Sequence, residues 1–183
     1  MLEKFINLVR ENAGDAIINN PAIPNERNEE AVNDAGQSVV SSLQNALSGG
    51  NVKDVLKIFS GRTDASNPVV QDATSNLSQN LSGKYGLSGG QASGIAGSLI
   101  PMILSQLAGK TSDPSNNGFN IQDIFNQLTG GKTAGVNMGG MLNKFKAGLD
   151  TDRDGDVDLS DLTGLLTGGG SGSVVDKVKG MFN

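Results

Sequence analysis

The sequence predicts an all-α fold: an N-terminal helical bundle followed by a C-terminal EF-hand-like helix–loop–helix unit. Three observations carry this. Apolar residues recur every three or four positions and no run alternates strictly, so helices are supported and strands are not. Gly, Asn and Pro punctuate those periodic runs. Late in the chain, "DTDRDGDVDLSD" (residues 150–161) concentrates six aspartates in twelve residues between two apolar helical faces.

The elements follow in order. Leu2, Phe5, Ile6, Val9, Ala13 and Ile17 place a first helix over about residues 2–18. "NNPAIPN" ends it, because two closely spaced prolines force extended backbone. Val32, Val39, Val40, Leu43 and Leu47 mark a second helix over about 26–47, with Glu26, Glu29 and Glu30 at its positive N-terminal end. A short helix over 51–59 carries Val52, Val55, Leu56 and Phe59. These helices form an N-terminal segment, 1–59. "SGRTDASNP" reads as a linker, 60–68, before a helix bearing Val69, Val70, Ala73, Leu77 and Leu81. A turn then leads into a long apolar helix over about 88–108, where Pro101 is the place for a bend. A helix apolar all round belongs in the core, so this one is expected at the centre of the fold.

Composition narrows the chemistry. The 183 residues contain no Cys and no His. Disulfides, thiol catalysis, zinc–thiolate sites and a Ser-His-Asp triad are excluded, and no other catalytic constellation stands out, so an enzyme is not expected. The net charge of -5 lacks the basic stripe of a nucleic-acid binder. "MLEKFINLVRENAG" is broken by Glu3, Lys4, Asn7 and Arg10 and does not read as a signal peptide. No uninterrupted apolar run has the length of a membrane span. These features predict a soluble cytoplasmic protein. "TGGKT" (129–133) resembles part of a phosphate loop, but the Gly required five residues before Gly131 is Asn126, so nucleotide binding is not expected.

The stretch "YGLSGGQASGIAGSLIPMIL" resembles the repeated pattern of the YidB-like family of small bacterial helical proteins. Gly86, Leu87, Ala92, Leu99, Ile100 and Pro101 match that pattern, and the resemblance covers about residues 1–130. It implies an all-α fold and supplies neither an activity nor catalytic residues.

The aspartate loop is more specific. With Asp150 as position 1, carboxylates fall at positions 1 (Asp150), 3 (Asp152), 5 (Asp154), 9 (Asp158) and 12 (Asp161). Gly155 occupies position 6, Asp156 offers its carbonyl at position 7, and Val157 is the apolar residue at position 8. This is the ligand order of an EF-hand calcium loop, in which the chain curls around the ion and every second side chain points inward. Leu142, Phe145 and Leu149 line one helical face before the loop; Leu162, Leu165 and Leu166 follow it. The predicted unit spans 138–168. Asp161 replaces the usual bidentate Glu, which makes Mg²⁺ a competitor of Ca²⁺. In this the loop resembles those of dockerin modules, although a dockerin has two loops, and the cohesin-binding role does not carry over.

A degenerate, shortened copy is expected at 113–123, inside a helical core segment, 69–132. Asp113, Ser115, Asn117 and Gly118 align with Asp150, Asp152, Asp154 and Gly155; Asn120 and Asp123 align with Asp158 and Asp161 after one deletion. Its neutral oxygens favour a structural mate over a second ion site. "GGKTAGVNMGG" reads as a flexible joint between the two units. Finally, a Gly/Ser run (167–173) precedes a short amphipathic helix, 174–183, with Val174, Val175, Val178, Met181 and Phe182 on one face. The function predicted is a calcium-binding protein with a structural or self-assembly role. The 174–183 helix is expected to dock either on the calcium unit of its own chain or on a neighbouring copy, in which case the terminal amphipathic helices join copies into a homo-oligomer. The alternative is a calcium sensor that exposes an apolar groove to a client protein.

Overall fold

Helices make up all the regular structure among residues 2–113 and 118–146, the part of the chain described by the structure, a computed structural model. The all-α expectation holds for these residues. The predicted EF-hand loop and the 174–183 helix lie outside them.

The first element is shorter than expected. Helix α1 (Leu2–Asn12) stops before Ala13, and Gly14–Ile18 continues as one π-helical turn, still burying Ala13 and Ile17. Asn19 and Asn20 close that turn by donating to Asp15 and to the Ala16 carbonyl. A 3-10 turn at Asn25–Arg27 leads into α2 (Asn28–Ser48), and α3 (Val52–Phe59) follows the Gly49–Gly50 break. Phe5, Leu8 and Val9 of α1 are buried against α2 and α5. Each such side chain contributes about 1.5–3 kcal/mol.

Residues 60–67 are anchored at both ends of the turn. Asn67 Oδ1 accepts from Val69 N at 2.9 Å, the N-cap of α4 (Pro68–Tyr85), with Pro68 at the first helical position. Its Nδ2 donates to the Asp54 carbonyl of α3 at 2.9 Å, and Asn67 is only 5% exposed. One side chain thus starts α4 and ties it to α3.

Helix α4 ends at Gly86, whose φ of 72° suits glycine best, and Ser88 begins α5 (Gly89–Ser112) with a reciprocal capping box to Gln91. The short turn makes α4 and α5 a hairpin, on which α2 packs from α4 and α1 and α3 pack from α5. Helix α5 runs on through Pro101. It is not buried all round. Ala92, Ala96, Leu99, Ile100, Ile103, Leu104 and Leu107 face the core, while Gly94, Gly97, Ser98, Met102 and Ser105 are exposed. Small residues present little apolar area, so exposing that face costs little. By length and composition alone α5 could cross a membrane, at a mean hydropathy of 1.3; its apolar face packs on α1, α3 and α4.

Helices α6 (Ile121–Leu128) and α7 (Met138–Lys146) complete the described body. The segment between them, expected as a flexible joint, is closely hydrogen-bonded. Thr133 Oγ1 donates to Asn126 Oδ1 at 2.7 Å. Gln122 bridges the segment, its Nε2 donating to the Thr133 carbonyl and its Oε1 accepting from Met138 N. Residues on both sides of 60–68 enter one continuous apolar core running from Phe5 to Phe145. Phe59 of α3 meets Phe125 of α6 with ring centroids 5.5 Å apart.

Candidate functional site

The six predicted calcium ligands, Asp150, Asp152, Asp154, Asp156, Asp158 and Asp161, all lie outside the described residues. The helix that leads toward them is described: α7 buries Leu142 and Phe145, two of the three residues expected on its inner face.

The degenerate loop is described in part. Helix α5 ends against Asp113 and α6 begins after Asn120; residues 114–117 of the expected loop lie outside the described residues. Asn120 Oδ1 accepts from Gln122 N at 2.8 Å and caps α6. That oxygen is directed at the helix end, while Asp123 sits in the first turn of α6. Phe119 and Ile121 are buried. Among the described residues, no group of three or more acidic side chains is placed to hold a metal.

Two further features were not anticipated from sequence. The first is a polar cluster where α2 meets the end of α4. Asp34 is 8% exposed. Its carboxylate accepts from Lys84 Nζ at 2.6 Å and from Tyr85 Oη at 2.9 Å. The Arg27 guanidinium lies 4.3 Å from the centre of the Tyr85 ring, donates to the Lys84 carbonyl, and pairs with Glu30. Burial and the adjacent Asp34 carboxylate push the Tyr85 hydroxyl well above its ordinary range, so it remains a neutral donor at physiological pH. A phenol so held cannot serve as a base near neutrality. The cluster therefore clamps two helices. Its sequence signal was a charged residue on the buried α2 line of Ala31, Ala35 and Ser38, but no periodicity pairs residues fifty apart.

The second feature is an apolar pocket of about 210 Å³ between α1, α2, α5 and α6. Phe5, Leu43, Leu107, Phe119, Ile124 and Leu128 form its walls, with Gln44 and Gln127 among its lining residues. Lys110 stands over the Phe119 ring, 5.9 Å from its centre, and reaches toward Glu11 at 4.0 Å. With two amides as its polar groups, the pocket can accept an apolar group and offer little else.

No family model, curated protein or solved structure matches the chain.

Proposed function

We propose that this is a calcium-binding helical protein in which the ion stiffens the C-terminal unit. One observation carries the reading: oxygen side chains at positions 1, 3, 5, 9 and 12 of the 150–161 loop, with glycine at position 6. Five carboxylates around one centre repel each other when the centre is empty, so a divalent cation both neutralises and orders the loop. The buried inner face of α7, running toward Asp150, supports the same reading, because an entering helix must be packed before the loop that follows it can be positioned. The role proposed for the ion is structural. Asp161 is one methylene shorter than Glu, which weakens bidentate binding and leaves Mg²⁺ a competitor.

Calorimetric titration tests this. Ca²⁺ should bind at one site, and Asp150→Ala and Asp154→Ala should each abolish it. Titration against millimolar Mg²⁺ should lower the apparent affinity. Unchanged calcium uptake in both variants would refute the assignment.

A further inference from the structure

We infer that the pocket between α1, α2, α5 and α6 is the docking site for this chain's own residues 174–183, with Met181 and Phe182 as anchors. Size is the first argument. The pocket holds about 210 Å³, whereas sites for small molecules usually span ~300–1,000 Å³. It is matched instead to one or two large side chains, the way an amphipathic helix anchors in a groove.

The path of the chain is the second argument. The described body ends at Lys146, whose Nζ donates to Ser112 Oγ at 2.9 Å at the end of α5. Leu107, a wall of the pocket, lies one and a half turns earlier on that helix, roughly 7.5 Å along its axis. The last described helix, α7, also packs on α6, which forms one wall of the pocket. Residues 147–173 lie between Lys146 and Val174, and a Gly/Ser-rich run of the length of 167–173 reaches roughly 15 Å when it behaves as a random coil.

Chemistry supplies the third argument. Val174, Val175, Val178, Met181 and Phe182 share one helical face, and a helix of this length does not persist in water without something to cover that face. Phe182 is the one aromatic residue in 147–183, and every described Phe is buried. Phe5 and Phe119 give the pocket two aromatic walls on which another ring can pack edge to face. The apolar face of α1 is already covered in the same manner, by its own chain.

The absence of Cys permits a direct test on the full chain. Gln127→Cys lines the pocket, and Asn183→Cys follows the anchors. The control pair joins Asn183→Cys to Gln79→Cys, on the exposed side of α4, which contributes nothing to the pocket. Oxidation should close the pocket pair within one chain roughly tenfold faster than the control pair, because docking raises the local thiol concentration. In a separate variant, Phe182→Trp provides the chain's sole indole, which should be shielded from acrylamide and become accessible when Leu128→Glu is added. Both assays are run with Ca²⁺ and with chelator, and docking in either condition supports the inference. It does not depend on the calcium reading, which Asp150→Ala tests separately. Equal rates for the two pairs in both conditions would overturn it, as they would if a small apolar ligand filled the pocket. Disulfides formed between copies would assign the pocket to a neighbour's tail and overturn it too. An indole shielded equally with and without Leu128→Glu would place the tail elsewhere.

Discussion

Replacing Phe59 and Phe125 tests whether the two halves of the described body fold as one. Phe59 belongs to α3 and Phe125 to α6, and both are fully buried, with ring centroids 5.5 Å apart and planes inclined at 51°. Truncation of either to Ala would remove ~3–5 kcal/mol, a large part of the ~5–15 kcal/mol available to a domain. Leu is the better probe, because it keeps the site apolar and most of its volume; each single variant should lose roughly 1–2 kcal/mol. Tilted aromatic pairs contribute about 0.5–1.5 kcal/mol beyond area burial, and once one ring is gone the other has no aromatic partner at this contact. The double variant should therefore lose less than the sum of the singles by that amount. Urea unfolding followed by circular dichroism measures it; intrinsic fluorescence is a poor probe in a chain with no Trp and one Tyr. Every variant should unfold in a single transition with an unchanged slope. Additivity within ~0.3 kcal/mol, or two separated transitions, would refute the claim that α3 and α6 share a core.

Asn67→Ala should cost ~1.5–2.5 kcal/mol, since it removes both an N-cap of ~1 kcal/mol and the hydrogen bond that ties α4 to the Asp54 carbonyl of α3; thermal unfolding reads this, and a loss below ~0.5 kcal/mol would mean that neither bond matters. The Tyr85 phenol should titrate well above its ordinary ~10, and phenolate absorbance reports it cleanly because the chain has one Tyr. The raised value has a defined sign: the contribution to stability is complete below the unfolded phenol's pKa and is lost as pH rises from there through the folded value, so Tyr85→Phe should flatten the alkaline limb of the stability curve. Asp34→Asn should bring the phenol part of the way down and leave the portion due to burial. Gly86→Ala should cost ~1 kcal/mol or more, measured by the melting temperature, because φ there is 72° and any Cβ is strained whatever the space around it.

Periodicity alone placed most of the helices within a few residues of where they are found, and it identified their inner faces: Val32, Val39 and Leu43 on α2, Val69, Ala73, Leu77 and Leu81 on α4. Local chemistry is sufficient there, because caps, glycines and apolar spacing act over one or two turns. The proposed calcium loop rests on the same local logic, since all its candidate ligands fall within twelve consecutive residues. Sequence could not decide which faces meet. It assigned α5 to the centre of the core on hydropathy, but Gly and Ser contribute so little area that half of that helix faces water. It treated 60–68 and 130–140 as joints on composition, whereas Asn67, Gln122 and Thr133 anchor those segments through bonds to other elements. The Asp34–Tyr85 clamp and the Phe5–Phe119 pocket lie further still beyond sequence reading. The clamp joins residues fifty-one positions apart and the pocket gathers residues from 5 to 128, and only the packing of α4 on α2, and of α1, α2, α5 and α6 around the pocket, brings them together.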